Sequence, residues 1–478
     1  MPDLAADLAR FAASIDLAHL DDDVVHAVKT NILDTLSCAI AGSSAPAIDE
    51  IIGLVREWGG AGQADMFVFG GRFPAHQAAW VNSGMAHARD YDDTHDAAIL
   101  HAGVSTVPAA IAAAQLRGGL SGGDLIAAVA AGLEVTCRLG VAVQVDIVES
   151  GFIYSSLLGY FGATAAAGRA LGLTPEELHN AFGIVYSSVA GNHQVTRDAS
   201  LMKRLQPGLA AQAAVVAVQL ARRGIRGAQG VFEGADGFFR VYLRDRVDAG
   251  VVRADLGSRF ELCDLSYKPY PCCRDTHAAV DATLLAHAEV DRSTVEIESI
   301  EVGVTAPGYQ MVCVPEQVRH APRTVVEAQF SIPYTVAAAW LDGGLGMRHF
   351  SDEGLRRADV LELASRVRPY VDEEIDRDWH RFVTPAKVTV RFRDGRTVVT
   401  RVDHPKGHPK NPMTETELAA KTADCATFAA TPLPANTATR LIATVGVLES
   451  LTDVSQLTDI LTRGTSHPLD AMARAPVH

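Results

Sequence analysis

The segment SSLLGYFGATAAAGRAL, residues Ser155–Leu171, is apolar on nearly every side when it is wound as a helix. Its many glycines and alanines have small or no side chains, so neighbouring helices can pack closely against it. A helix with this pattern is buried at the centre of a bundle. Residues 208–221 have a similar composition, and both segments are therefore predicted to be central helices of one large helical core.

Other segments of the first half repeat Ala, Leu and Val with helical spacing, at 24–42, 76–92, 104–117, 123–144 and 175–190. Residues that favour helix starts precede several of them: Ser121, Thr174-Pro175 with Glu177, and Pro207-Gly208. These patterns predict a large, all-helical bundle.

The pattern changes after Lys268. Residues 295–304 and 386–392 alternate apolar and polar side chains and are predicted to be strands; the second leads through a turn at Asp394-Gly395 into a return strand at 397–402. Helical patterns at 276–289, 333–342 and 352–366 lie between them, and helical character resumes after Thr414. The predicted fold is therefore mainly α. A discontinuous helical domain (1–268 and 406–478) is combined with a smaller α+β domain (269–405).

The overall composition describes a soluble globular enzyme. Of the 478 residues, 48% are hydrophobic and 21% charged, and 57 acidic against 42 basic residues give a formal charge of −15. The chain has no basic stripe, which argues against nucleic-acid binding. It has no signal-peptide pattern, and its apolar runs are interrupted by charge before they could span a membrane. Seven scattered cysteines predict reduced thiols in a cytoplasmic protein.

The highest density of ionisable side chains lies in GMAHARDYDDTH, residues 84–95, and His101 follows shortly after it. If residues 83–93 are helical, His87, Asp90 and Tyr91 share one face. Amide groups at the next helix start, near 103–106, would then be free to receive a carboxylate. We interpret the segment as a general acid/base cluster beside an anion site. A buried polar network that joins two helices is the structural alternative.

A metal site is the rival functional interpretation, because His and Asp are metal ligands. The spacing matches neither a His-Glu-x-x-His pair nor a calcium-binding loop, so no metal is predicted.

Three other segments carry candidate residues. Lys203 and Arg204 precede a predicted helix, where they would form an electropositive pocket for an anion or, alternatively, an exposed cation pair. Lys268 and Arg274 flank a proline-rich stretch at the predicted domain boundary, which could equally be a stiff linker. Tyr154 is a candidate acid/base phenol or a packed aromatic side chain.

Taken in order, these segments resemble the MmgE/PrpD family, whose members include 2-methylcitrate dehydratase, cis-aconitate decarboxylase and iminodisuccinate epimerase. The resemblance covers essentially the whole chain and rests on the ordered set 34–42, 90–94, 203–208, 268–271, 328–334 and 411–414. It implies a discontinuous helical domain plus a smaller α+β domain, a homodimer, a site between the domains, no metal or organic cofactor, and a small anionic carboxylate as the substrate.

The resemblance also implies site residues. Asp90, Thr94, His101, Lys203 and Lys268 correspond to active-site positions of the decarboxylase-like branch, and His87 and Tyr154 to those of the epimerase-like branch. Arg274, Gln206 and Ser155 are predicted to bind substrate.

Three histidines that are usual in the dehydratase and decarboxylase branches are missing here: Ile153-Tyr154 stands where a His-Pro pair is usual, and Gln206 and Cys273 stand at the other two positions. The sequence therefore favours an isomerase, an epimerase that removes a proton next to a carboxylate, with His87 or Tyr154 as the base. A dehydratase (a carbon–oxygen lyase), a decarboxylase and a non-catalytic carboxylate-binding homologue are the alternatives.

Overall fold

The computed structural model describes residues 3–145, 147–290, 296–378 and 385–462. Residue 295 of the first predicted strand and residues 463–478 of the predicted helical tail lie outside these ranges. The predicted fold class is confirmed, because helices dominate and the longer strands are confined to one part of the chain. Contacts divide the chain into two units: residues 1–195, 201–265 and 414–478 form the first, and residues 196–200 and 266–413 form the second.

The first unit contains most of the long helices. Its elements are α1 (Leu4–Ser14), α2 (Asp22–Gly42), α3 (Ile48–Trp58), β1 (Ala64–Asp65), β2 (Arg72–Phe73), α4 (Ala75–His87), β3 (Thr94–His95), α5 (Gly103–Arg117), α6 (Gly122–Ala142), α7 (Ile147–Ser150), α8 (Tyr154–Leu171), α9 (Pro175–Tyr186), α11 (Met202–Arg222), α12 (Phe238–Leu243), α13 (Ala249–Arg253), α22 (Glu415–Thr427), α23 (Thr437–Gly446) and α24 (Ser455–Thr462). Two short elements, α10 (Gln194–Arg197) and β4 (Leu265–Ser266), lie where the chain passes between units.

Helix α8 is the centre of the first unit, as its composition predicts. It packs against α5, α6 and α11, and all its residues except Arg169 are buried. Gly162 permits the close approach of α6, since a Cβ atom there would lie 1.7 Å from Thr136 Oγ1 and 2.6 Å from the Gly132 carbonyl oxygen. Helix α11 is less enclosed than predicted, because Val216 and Leu220 remain 37% exposed.

Several predicted helix starts are confirmed by their capping contacts. The Ser121 hydroxyl accepts from the Asp124 amide, and Thr174 and Thr414 each form a capping box with the residue three positions later. The start predicted at Pro207-Gly208 is wrong. Helix α11 begins at Met202 and contains Pro207, which places Lys203 inside its first turn.

The second unit combines helices with one mixed sheet. Its elements are α14 (His277–Ala288), β5 (Ile297–Val304), α15 (Ala306–Val312), α16 (Glu316–His320), α17 (Val325–Gln329), α18 (Ile332–Asp342), α19 (Asp352–Leu355), α20 (Ala358–Ala364), β6 (Val367–Val371), α21 (Glu373–Asp378), β7 (Ala386–Phe392) and β8 (Thr397–Val402).

The sheet order is β6-β5-β7-β8, with β5 parallel to β6 and the other pairs antiparallel. The predicted hairpin is present: Val388 pairs with Thr400, and Gly395 adopts φ +88° in the turn. Apolar side chains of β5 and β7 are buried against α14 and α18, which forms the core of this unit.

One described helix, Gly122–Ala142, is long and apolar enough to cross a membrane by length and composition alone. Of its most apolar window, 94% is buried inside the protein, as in the core helix of a globular fold. All seven cysteines are free thiols.

Candidate functional site

The segment after α4 does not continue as a helix. Helix α4 ends at His87, and Asp90 adopts a left-handed backbone with φ +54°, a conformation that Asp tolerates better than most residues. The prediction that His87, Asp90 and Tyr91 share one helical face is therefore wrong. Because of this turn, the three side chains do not share one face. The turn also brings Asp92, a residue for which the sequence predicts no separate role, next to His87 and His101.

Asp92 joins His87 and His101 at one oxygen atom. The Nδ1 atoms of both rings lie 2.9 Å from Asp92 Oδ2, and the ring centroids are 4.9 Å apart. His101 Nδ1 also lies 2.6 Å from the Asp93 carbonyl oxygen. Because every neighbour of these Nδ1 atoms is an acceptor, each neutral ring carries its proton on Nδ1 and a lone pair on Nε2. Within the described residues, no hydrogen bond reaches either Nε2 atom.

Burial and charge set the protonation of this group. Burial lowers the pKa of His87 to about 4; Asp92 opposes that shift and Lys203 adds to it. Burial also disfavours the charged form of Asp92, but the two histidines outweigh it and hold the pKa of that carboxyl well below its usual range. The pair at neutral pH is therefore an ionised Asp92 and a neutral His87. The His101 side chain is 16% exposed, whereas that of His87 is 1% exposed.

Asp93 occupies the start of α5. Its carboxylate accepts the amides of Ala102 and Gly103 at 2.9 and 3.0 Å. The prediction that the amides near 103–106 are free for a substrate is therefore wrong for Gly103. Burial, with the nearby Asp92, raises the pKa of Asp93 to about 7. The Thr94 hydroxyl is buried and has no hydrogen-bond partner among the described residues.

The cations of α11 are buried rather than exposed. Lys203 Nζ donates to Asp90 Oδ1 at 2.7 Å, and its charge acts on His87. Arg204 is only 3% exposed. The alternative of an exposed cation pair is therefore wrong.

Three further predicted residues lie in α8 and α11. The Ser155 hydroxyl accepts the His101 amide at 2.9 Å, which anchors the histidine backbone to α8. The Tyr154 hydroxyl donates to the Val145 carbonyl at 2.7 Å. Gln206 accepts the Asn192 amide at 2.7 Å and donates to the Asn192 carbonyl at 3.2 Å, a structural contact where the sequence predicts a substrate contact.

Two family models match this chain. Residues 6–249 match the MmgE/PrpD N-terminal domain, and residues 270–447 match the MmgE/PrpD C-terminal domain. The chain belongs to the MmgE/PrpD family. The resemblance inferred from the sequence is thereby confirmed.

Relatives in the MmgE/PrpD family are similar over nearly their full length. A cis-aconitate decarboxylase of Aspergillus terreus (strain NIH 2624 / FGSC A1156) is 27% identical over 98% of this chain and 97% of its own length. The Homo sapiens cis-aconitate decarboxylase is 28% identical over 95% and 93%, and that of Mus musculus is 26% identical over 93% and 90%.

The remaining predicted residues lie in the second unit. Lys268 follows β4 and is buried. Arg274 begins a short 3-10 turn, where its Nη1 atom donates to the Lys406 carbonyl at 3.0 Å and lies 3.3 Å from His277 Nδ1. The neighbouring Cys272 is buried with its thiol 3.1 Å from Thr276 Oγ1.

Among the described residues, one group in this MmgE/PrpD chain brings metal-ligand atoms together. One atom each of His87, Asp92 and His101 lies within 4.8 Å of the others. Both Nδ1 atoms, however, lie 2.9 Å from the same carboxylate oxygen, and His101 Nδ1 also lies 2.6 Å from the Asp93 carbonyl, so acceptors already face both Nδ1–H groups. A metal ion would have to displace those protons, so this donor set favours proton transfer over metal binding.

Proposed function

We propose that this protein is a cofactor-independent acid/base lyase that removes CO₂ from a small unsaturated tricarboxylate of the cis-aconitate kind. The observation that carries the proposal is Asp92 bound to the Nδ1 atoms of His87 and His101, which leaves both Nε2 atoms for proton transfer. The names of the similar relatives support the substrate class.

The reaction needs one proton delivered to carbon. Loss of CO₂ from the carboxylate on the CH₂ group of cis-aconitate leaves an electron pair, which forms a new C=C bond to the central carbon. The electrons of the old C=C bond move to the CH carbon, which takes one proton. The trianion and the proton thus give CO₂ and a dicarboxylate with a terminal CH₂ group.

His101 is the proposed proton donor. It is the more exposed of the two rings, and an imidazolium there would donate from Nε2 while Asp92 stabilises its charge at Nδ1. Lys203 would stabilise the negative charge that develops next to the substrate carboxylate. Lys268, by the family resemblance, and Arg274, by its charge, are further proposed carboxylate-binding residues. The predicted homodimer and cytoplasmic location remain part of the proposal.

The epimerase favoured by the sequence is supported less well. Epimerisation needs a second proton-transfer group on the opposite face of the carbon, and Tyr154 was the predicted partner of His87. The Tyr154 hydroxyl is engaged with the Val145 carbonyl, and the two histidines share one carboxylate. This arrangement supports delivery of a proton from one side, as decarboxylation requires.

The proposal is tested by incubating the protein with cis-aconitate in D₂O and following the products by NMR, with CO₂ measured in parallel. A decarboxylase releases CO₂ and places one deuterium on the former CH carbon. Hydration without CO₂ would indicate the dehydratase. In a parallel incubation with saturated dicarboxylates in D₂O, deuterium exchange without CO₂ would indicate the epimerase. Binding without conversion or exchange would indicate a carboxylate-binding homologue, and any of these three results overturns the decarboxylase proposal.

A further inference from the structure

Arg204 is a buried cation for which the described residues provide no hydrogen-bond acceptor. It lies in the first turn of α11, is 3% exposed, and its Nη1 atom is shielded from solvent. Within the part of the chain that the structure describes, no side chain or carbonyl accepts a hydrogen bond from its guanidinium. Buried charges are normally paired, because an isolated ion loses its hydration without compensation.

A second cation acts on Arg204. The charges that shift its pKa are those of Arg89 and Asp90, and Lys203 donates to Asp90 Oδ1 at 2.7 Å. The Arg89 guanidinium donates to the Ala41 carbonyl and the Ser44 hydroxyl. Burial lowers the pKa of Arg204 to about 10, with Arg89 adding to the shift and Asp90 opposing it, so a second anion would relieve this arrangement.

Arg204 lies close to the histidine site. Its neighbour Lys203 in the first turn of α11 donates to Asp90 Oδ1 at 2.7 Å, and the Asp90 amide donates to the His87 carbonyl at 3.2 Å. We propose that the Arg204 guanidinium binds a carboxylate of the substrate and, together with Lys203, selects polycarboxylates over monocarboxylates. A planar guanidinium matches a carboxylate through paired hydrogen bonds. The inference rests on the proposed function, because it assigns the ligand of that same site.

The test compares Arg204→Met with Arg222→Met, which removes an exposed arginine from the end of the same helix. Calorimetry with tricarballylate, a saturated tricarboxylate that cannot be decarboxylated, measures binding without turnover. We expect Arg204→Met to weaken binding by about 10- to 100-fold, as for loss of a hydrogen bond to a charged group. Arg222→Met should bind like the wild type. Arg204→Lys should recover part of the affinity for tricarballylate.

Thermal unfolding separates ligand binding from a structural role. Without ligand, Arg204→Met should be at least as stable as the wild type, since it removes an unpaired buried charge. The stabilisation by tricarballylate should shrink. Lower stability without ligand, with unchanged tricarballylate affinity, would show a structural arginine and overturn the inference. Equal protection by phosphate or chloride would show a general anion site and also overturn it.

The two proposals fail differently. If the wild type binds no polycarboxylate, the proposed function itself is wrong. If the wild type binds and converts cis-aconitate and Arg204→Met does so with unchanged KM, only the assignment of Arg204 is wrong.

Discussion

Asp92 fixes the tautomer of two histidines with a single carboxylate oxygen. Replacing it with Asn keeps the size of the side chain and leaves an acceptor oxygen for both Nδ1–H groups, but it places a donor NH2 group where Asp92 Oδ1 is buried without a hydrogen-bond partner among the described residues. The charge that stabilises an imidazolium is lost as well. We expect Asp92→Asn to lower kcat by about 10²- to 10⁴-fold with a smaller change in KM.

Steady-state measurement of CO₂ release checks this expectation. Asp49→Asn, which changes an exposed carboxylate on α3, is the matched control and should leave kcat unchanged. Near-normal kcat in Asp92→Asn would remove the carboxylate from the mechanism.

His87 links stability to pH. Its pKa falls from an ordinary value near 6.5 to about 4 in the folded protein. The unfolded chain therefore binds more protons between these values, and the free energy of unfolding decreases as the pH falls through this window. His87→Gln lacks this acid penalty, so its Tm relative to wild type should rise as the pH falls from about 6.5 to about 4.

Calorimetry across that pH range measures the effect. His26→Gln, at an exposed position of α2, should keep a constant Tm difference from the wild type. A constant difference for His87→Gln as well would mean that His87 titrates normally in the fold.

Helix α22 anchors the loop that carries the candidate site. Lys421 Nζ donates to Asp34 Oδ1 at 2.5 Å and to the Tyr91 carbonyl at 2.7 Å, and it lies 4.1 Å from the centroid of the Tyr91 ring. Lys421→Met would remove the buried cation that Asp34 contacts and so break a buried ion pair from one side, so the free energy of unfolding should fall by about 3–5 kcal/mol. Urea denaturation measures this change.

The control for this pair is Lys29→Met. Lys29 also connects α2 to the C-terminal segment, through Glu449, but at a partly exposed ion pair. Such pairs contribute about 0–1 kcal/mol. A similar small loss in both variants would show that the buried pair does not hold the loop in place.

The start of α5 depends on a residue without a side chain. A Cβ atom at Gly103 would lie 2.6 Å from Asn31 Oδ1, Asp93 Oδ1 and Thr35 Oγ1. Gly103→Ala should therefore displace the Asp93 carboxylate from the start of α5 and lower both Tm and kcat. The free energy of unfolding should fall by about 1–3 kcal/mol. Gly446→Ala, in α23, meets no atom within 4 Å and should be neutral or slightly stabilising. Equal Tm values for the two variants would contradict a stabilising role of the Asp93 carboxylate at the start of α5.

Elements with a strong local pattern were predictable from the sequence. The hairpin formed by β7 and β8 has its predicted bounds, and α8 starts one residue before the prediction. The end of α4 was not predictable, because it depends on the left-handed Asp90 and on Lys421, which lies 330 residues from Tyr91 in the chain. His87 and His101 were predictable as site residues, because histidines among several carboxylates indicate acid/base chemistry. The role of Asp92 was not predictable, because it depends on the turn at Asp90.

Assembly of the first unit requires three separate parts of the chain. The last part, residues 414–478, contributes side chains that are buried to 98% or more, among them Leu441, Leu448, Leu457, Ile460 and Leu461. Burial of each contributes about 1.5–3 kcal/mol, and together they are comparable with the net stability of a whole domain, about 5–15 kcal/mol. The same part supplies Lys421.

Truncation after Met413 should therefore abolish the cooperative unfolding of the first unit and the CO₂-releasing activity. Calorimetry and the activity assay measure these losses. Supplying residues 414–478 as a separate chain during expression should restore both, because the lost contacts are non-covalent. A truncated protein that keeps its transition and its turnover would show that the first two parts of the unit fold by themselves and hold the histidine loop without α22.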